Sequence, residues 1–343
     1  MSTLLGVMVV VVAGLLMGSS AWPIKLMRRF EYEHWAFIGN FVGIIGISWF
    51  VTLAFCPDAF AAYATVPTEV LIKSNLWSFG WGVANVLCGL CFVRIGFSLT
   101  GGILTGLGVS LGVTIPMIVK GTGRFQDAPG LASPAGLTVL TGVAVMLVGV
   151  VLVSLAGFGR DEALAKTEER SGSFAVGLIM AATAGVLSCG ISFAFVYSQG
   201  PIVAAMKSRG AGEIPANFAV WAVGLLGGAL VNILYPAYLM TKKRSWGVLA
   251  NWREVGLSII VGVNFGLAVA LMGKGMRFLG EFGASVGFGV QQASQMLGSQ
   301  GVGFISGEWR GVVGTPRRQI YLAIGVLIVA AIIMSYGKAL AKG

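Results

Sequence analysis

From Val7 to Gly18 the chain reads VMVVVVAGLLMG, and from Leu322 to Met334 it reads LAIGVLIVAAIIM. Neither run holds a charge, an amide or a hydroxyl, and neither alternates apolar with polar. The hydrocarbon of a bilayer accepts such a segment, but it offers no water to the backbone. Every N–H and C=O must then be satisfied within a helix or around a closed barrel. Barrel strands alternate over about 10 residues, so the sequence predicts an all-α integral membrane protein. Composition agrees: the chain is 56% hydrophobic and only 10% charged, where a soluble domain carries roughly a quarter charged residues.

A spanning helix needs roughly 20 mainly apolar residues. Divided on that basis, the sequence predicts ten transmembrane helices, at about 2–22, 35–55, 70–93, 97–119, 135–157, 173–197, 216–240, 255–275, 282–305 and 319–340. The first is read as a helix, not a cleaved signal, because it lacks a basic leading region and its apolar stretch is long. The charged linker at 158–172 falls at the midpoint, between a five-helix repeat at 1–157 and a second at 173–343. The halves share short stretches in the same order. CFVRIGFS ends helix 3 and KGMRFLGEFGAS ends helix 8; AGLLMGSS lies in helix 1 and AGVLSCGIS in helix 6. Five is odd, so the second repeat enters from the opposite side. Inverted repeats are a common build of secondary transporters, which bind substrate near the midplane between the halves.

The net charge of +10 does not point to nucleic acid, because the basic residues are scattered through short loops. They fit the positive-inside rule better. Lys25, Arg28, Arg29, Arg160, Lys242, Lys243, Arg244, Arg317 and Arg318 follow odd-numbered helices, which predicts cytoplasmic loops there and both termini outside. Cys88 and Cys91 have redox spacing but sit within an apolar helix, where the thiolate is disfavoured. The four cysteines, Cys56 and Cys189 included, are read as small buried residues. Glycine pairs spaced by four (Gly14/Gly18, Gly102/Gly106, Gly108/Gly112, Gly283/Gly287) predict close helix packing. The run GGILTGLGVSLG lacks the strand and the Lys-Ser/Thr partner of a phosphate loop.

The thirteen carboxylates fall in loops or near helix ends, and the one histidine, His34, opens helix 2. No metal site and no hydrolase triad can be assembled from these residues, so no cofactor and no enzymatic activity are expected. The membrane segments carry neutral polarity instead. Four of the chain's seven glutamines lie in QQASQMLGSQ, Gln291–Gln300. At about 100° per residue, Gln291, Gln292, Ser294, Gln295 and Ser299 share an arc of about 160°, and Gln300 points away. A stripe that wide is expected to face the bundle interior. Amides offer donors and acceptors without charge, which suits sugar hydroxyls. The expected substrate-binding set is Gln291, Gln292, Gln295 and Ser299 with Trp81, Asn85, Ser188, Ser192, Asn232 and Asn264. Two other classes compete. One is an exporter of an amino acid or other small metabolite on the same fold, for which a fixed cation such as Lys25 or Lys274 would be needed. The other is a non-transporting sugar sensor, which would need a soluble signalling domain.

Several motifs, taken in order, resemble one family. These are PIK at Pro23–Lys25 followed by Glu33, WGVAN at Trp81–Asn85 with GLCFVRIG after it, and GVLSCGISFAF at Gly185–Phe195. GGALVN at Gly227–Asn232, GEW at Gly307–Trp309 and the pair Arg317–Arg318 complete the series. The chain resembles the L-rhamnose–proton symporters of the drug/metabolite transporter superfamily over nearly its whole length. The resemblance implies ten helices as two inverted repeats, multi-pass in a bacterial inner membrane, importing a deoxy-sugar with protons by alternating access. Helix 9 of that family is richer in aromatic residues and carries an acidic residue and a histidine. Here it reads EFGASVGFGVQQASQM. Proton symport requires a titrating group, for which Glu281, Glu69 and Lys274 are the candidates. The expected partners are the sugar, protons and membrane lipid; oligomeric state stays open.

Overall fold

The computed structural model describes residues 3–20, 22–95, 97–118, 129–164 and 173–340, and the regular elements among them are all helical. They are α1 (Thr3–Ser19), α2 (Tyr32–Asn40), α3 (Ile47–Phe55), α4 (Ala59–Ala64), α5 (Thr68–Ile95), α6 (Phe97–Ile118) and α7 (Pro134–Ala163). Then come α8 (Phe174–Ser188), α9 (Gly190–Lys207), α10 (Glu213–Gly224), α11 (Leu226–Lys243), α12 (Trp252–Leu279), α13 (Phe288–Ile305) and α14 (Thr315–Leu340). A π-turn at Phe41–Gly46 joins α2 to α3, and another at Gly283–Gly287 leads into α13. Helix α7 runs on to Ala163, so the start of the expected linker is helical; residues 165–172 lie outside the described residues.

Among the described residues, seven helices are long and apolar enough to cross a membrane, or eight if the bent pair α10–α11 is one span. Helices α5 and α13 fall outside that set. They are the ones loaded with polar and indole side chains: Ser74, Asn75, Trp77, Ser78, Trp81 and Asn85 on α5, the glutamines on α13. The glutamines that mark α13 as a candidate site element also dilute its hydropathy.

Glycine sets the distances between helices. Without a hydrophobic drive in lipid, packing contacts hold helices together, and small residues let backbones touch. A Cβ on Gly14 would overlap the Gln291 carbonyl oxygen, and one on Gly18 the Gln295 carbonyl oxygen, so α1 lies backbone-to-backbone on α13. Gly43 meets Gly262 where α12 crosses the first π-turn, and Gly82 of α5 meets Gly228 of α11. Gly142, Gly149 and Gly337 seat α7 against α14.

The bend between α10 and α11 is 58°, and its cause is side-chain insertion into the helix ladder. Two consecutive helical bonds are replaced by groups from α5. Between the Val223 carbonyl and the Gly227 N–H stands Asn75: its Nδ2 donates to Val223 O at 3.0 Å, and its Oδ1 accepts from Gly227 N at 2.8 Å. The next N–H, that of Gly228, donates to Ser78 Oγ at 3.1 Å, while the Ser74 hydroxyl reaches the Gly224 carbonyl at 3.5 Å. Ser74 also donates to the Ala194 carbonyl of α9 at 2.8 Å. Helix α5 therefore completes the backbone of a break in the helix pair packed against it.

Three substitutions test this account. Asn75→Leu strands the Gly227 N–H and the Val223 C=O at about 1–3 kcal/mol each, so thermal unfolding in detergent should begin well below the wild-type temperature. Gly18→Ala should cost about 1–3 kcal/mol through overpacking. Gly325→Ala, whose Cβ would meet nothing within 4 Å, should change stability by less than about 1 kcal/mol. Equal melting temperatures for the two alanine variants would refute the packing argument.

Candidate functional site

One and two turns beyond Ser78, α5 presents Trp81 and Asn85. Asn85 Nδ2 donates to Asn232 Oδ1 at 3.1 Å, and Asn232 Nδ2 donates to the Gly228 carbonyl at 2.9 Å. The Asn232 carbonyl in turn accepts from Asn40 Nδ2 at 3.1 Å. Three helices (α2, α5 and α11) thus meet at one asparagine junction. Trp81 lies over Gly228, where any side chain would collide with the indole, and stacks on Phe265 of α12 with centroids 6.0 Å apart. Asn264, half-buried, is the residue before Phe265. Four of the expected site residues, Trp81, Asn85, Asn232 and Asn264, therefore fall on neighbouring elements, and two of them bond directly.

On α13 the glycine contacts to α1 fix the helix's rotation. Gln291 is 2% exposed and Ser294 equally buried. Gln292 and Gln295 are half-buried, and Ser299 is exposed, its hydroxyl spent on the Met296 carbonyl at 3.0 Å. Gln291 Nε2 donates to Gln295 Oε1 at 3.0 Å. That bond leaves the Gln291 carbonyl and the Gln295 amide NH₂ with hydrogen-bonding capacity. Among the described residues, no hydrogen bond joins this amide pair to the asparagine junction.

A third group lies on α9, α10 and the second π-turn. Ser192 Oγ, Gln199 Oε1, Asn217 Oδ1, Trp221 Nε1 and Ser285 Oγ are buried and have no hydrogen-bond partner among the described residues. Ser192, Phe195 and Gln199 share one face of α9 at helical spacing, and Phe195 stacks on Trp221 at 4.7 Å. Gly273 of α12 makes room for both rings. Asn217 spends its Nδ2 on the Ala270 carbonyl at 2.7 Å and keeps its oxygen free. Buried polar groups without partners are costly in a fold, and one donor, two acceptors and two hydroxyls that can do either match a neutral hydroxylated guest. Sequence reasoning placed Ser192 in the site but not Gln199, Asn217, Trp221 or Ser285. The signal was faint, because Asn217 and Trp221 stand one turn apart on a helix otherwise apolar.

The remaining candidates are placed elsewhere. Ser188 bonds its own helix at the Gly185 carbonyl, 2.8 Å away, and packs on Gly108 of α6. Glu69 is exposed at the start of α5 and pairs with Lys73. Lys274 lies over the Phe278 ring at 5.5 Å and lines a surface pocket beside Glu213. The Glu281 side chain lies outside the described residues. Cys88 and Cys91 are free, and Cys91 Sγ contacts the Gly177 carbonyl of α8.

Charge is gathered at helix ends. Glu308 pairs with both Lys25 and Arg160. Lys243, closing α11, contacts Glu31 at 2.7 Å and Glu33 at 2.8 Å, and its ammonium holds the Glu31 carboxyl below the usual carboxylate range. Beside them His34 is 2% exposed. Its Nδ1 accepts from the Glu31 N–H at 3.0 Å, which leaves the proton on Nε2, 3.0 Å from Ser245 Oγ. Glu254 accepts from the backbone N–H groups of Arg28, Arg29 and Phe30. Among the described residues no group of three His, Cys, Asp or Glu side chains is arranged to hold a metal.

Helices with apolar exteriors, neutral amides and indoles gathered inside, and charge kept to the ends define a polytopic membrane protein with a hydrogen-bonding interior. Comparison with known proteins carries this further. Residues 2–341 match the family described as L-rhamnose-proton symport protein (RhaT), and the chain belongs to that family. It is similar to the L-rhamnose-proton symporter of Pectobacterium atrosepticum, 26% identical over 325 residues that cover 92% of this chain and 93% of the relative. The L-rhamnose-proton symporters of Yersinia pestis and Yersinia pseudotuberculosis match to the same extent.

The asparagine junction is open to a direct test. A double-mutant cycle on Asn85→Ala and Asn232→Ala, read by thermal unfolding, should return a coupling of about 0.6–1.7 kcal/mol. Additive effects would mean that the two amides do not act as a pair.

Proposed function

We propose that this protein imports L-rhamnose, or a sugar with the same pattern of hydroxyls, together with protons, across a bacterial inner membrane. The observation that carries the reading is the neutral, hydrogen-bonding interior within a chain of this family. An interior cation aimed at a carboxylate, as an amino-acid exporter would need, is not among the groups described. The sugar would be held between the α13 amides Gln291, Gln292 and Gln295 and the α9–α10 groups Ser192, Asn217 and Trp221. Asn85, Asn232, Asn264 and Trp81 would close the site from the α5 side, with Ser188 and Ser299 at its margins.

The architecture belongs to the same proposal: ten spans in two inverted five-helix repeats, as in the drug/metabolite transporter superfamily. In this reading α2–α3, α8–α9, α10–α11 and the π-turn with α13 each form one span, and α4 is a connector. Helix neighbours support it. Exchanging each span with the one five later turns the contact of α1 with α13 into that of α8 with α6. It turns α1 with α12 into α8–α9 with α5, α5 with α11 into α12 with α2, and α6 with α7 into α13 with α14; every one of these contacts is present. The pairs α7 with α14 and α2 with α11 map onto themselves. Glycine contacts follow the same exchange, Gly82 against Gly228 and Gly43 against Gly262. Such a two-fold relation supports alternating access by rocking one repeat against the other around a central site.

Purified protein in proteoliposomes should accumulate radiolabelled L-rhamnose when a pH gradient is imposed, and a protonophore should abolish the accumulation. Gradient-independent uptake, or none for any monosaccharide, would overturn the reading. Gln292→Ala and Gln295→Ala should each raise KM about fivefold to tenfold, the equivalent of one lost hydrogen bond of about 1 kcal/mol. An unchanged KM would leave these amides as packing between helices.

A further inference from the structure

Among the described residues the fold buries two carboxylates, Glu33 at 2% exposure and Glu254 at 1%. Glu254 is fully engaged, its two oxygens bonded to the N–H groups of Arg28, Arg29 and Phe30 at 2.6–3.1 Å. Those donors are fixed backbone and hold it as the anion. Glu33 is different. Its counter-charge is the half-exposed Lys243 ammonium, 2.8 Å from an Oε1 that has no hydrogen-bond partner among the described residues, and Lys243 already has a second acidic partner in the exposed Glu31.

The pair also sits at a telling place. Glu33 is in the first turn of α2 and Lys243 in the last turn of α11, so the contact joins the two halves of the chain. Seven residues on from Glu33, on the same face of α2, Asn40 donates to the Asn232 carbonyl. Eleven residues on from Asn232, again on one face, α11 ends at Lys243. Helices α2 and α11 are thus joined at two polar points, the buried ion pair and the asparagine junction. Loosening the first frees the helix that holds the second.

We propose that Glu33 carries the proton of the coupled cycle, and that its ion pair with Lys243 is the latch between the halves that this proton opens. The proposal rests on the symport reading above. Protonation turns the Glu33 carboxylate into a neutral acid, and no other bond changes. Lys243 keeps its charge and its access to water, being 47% exposed, and its remaining contact is to Glu31 at the exposed N-cap of α2, where water and salt leave little attraction to hold the helices. The attraction across α2 and α11 at the buried carboxylate, the one end of the pair shielded from water, is lost. The Lys25–Glu308 contact has both partners about one-third exposed, so water and salt already weaken it. Among the described residues, the other titratable groups tied to Glu33 are Glu31, Tyr32 and His34 beside it, and Tyr32 in turn faces Tyr235 of α11 and Cys88 of α5. His34 accepts the Glu31 N–H at Nδ1 and faces Ser245 at Nε2, so neither ring nitrogen is turned to the Glu33 carboxylate by these bonds. Acid therefore favours the open latch and alkali the closed one.

The test uses full-length protein in proteoliposomes. Glu33→Gln, which mimics the protonated acid, should retain sugar counterflow without a gradient and lose gradient-driven accumulation to the level of empty liposomes. Glu33→Asp should keep accumulation with a displaced pH profile. Accumulation by Glu33→Gln at the wild-type level, or loss of counterflow as well, would overturn the assignment. A second arm needs no sugar. Spin labels at the exposed positions Arg29 and Lys242, with Cys56, Cys88, Cys91 and Cys189 replaced, should show a longer separation in acid than in alkali. Glu33→Gln should show the longer separation at both. A pH-independent separation in the otherwise wild-type chain overturns the latch. If wild-type protein moves no L-rhamnose, the substrate reading fails while this second arm still decides the latch.

Discussion

Backbone-to-backbone contact at glycine governs how every polar group in this protein is presented. Where Gly14 and Gly18 let α1 rest on the carbonyls of Gln291 and Gln295, the rotation of α13 is no longer adjustable. Its amides then point where that contact puts them, with Gln291 and Ser294 in the interior and Ser299 outward. The same holds for α5 and α11, pressed together at Gly82 and Gly228, which brings Asn85 within reach of Asn232. In a solvent as apolar as the helices themselves, packing of this kind replaces the hydrophobic effect as the force that orders the bundle.

Polarity is then sorted into two kinds. Neutral amides, hydroxyls and indoles lie within the bundle, where a formal charge would be expensive. Ion pairs lie at the ends, and several of them tie one half of the chain to the other: Lys25 to Glu308, Arg160 to Glu308, and Lys243 to Glu31 and Glu33. A carrier for a neutral polyol needs the first kind to hold its cargo and the second to keep one end shut while the other is open. Glu33 belongs to the ends by position and to the interior by burial, which sets it apart from the other ionic contacts.

Much of this was legible in the order of residues. Uncharged runs such as VMVVVVAGLLMG identified a helical membrane protein. Four-residue glycine spacing at Gly14/Gly18 and Gly108/Gly112 marked real helix contacts. The glutamine stripe marked a helix turned partly inward, because helical periodicity is a local property that a sequence carries openly. What escaped was relational. Asn75 reads as one more polar residue near a helix start until its partner helix is known to break at Gly224. Glu33 reads as a solvated helix end until Lys243, far along the chain, is seen to cover it. Hydropathy likewise undercounts α13, because the glutamines that give it a role also make it less apolar.

The splice at Asn75 has a bearing on how the protein is made. The bent pair α10–α11 lacks two of its own backbone bonds and borrows their replacements from Ser74, Asn75 and Ser78. Released alone into lipid, that segment would carry bare N–H and C=O groups at the bend. Ribosomal synthesis runs from the N-terminus, so α5 is already in the bilayer when α10 and α11 emerge. The order of genes' reading and the order of chemical need coincide here: the helix that lends the groups is delivered before the helix that borrows them.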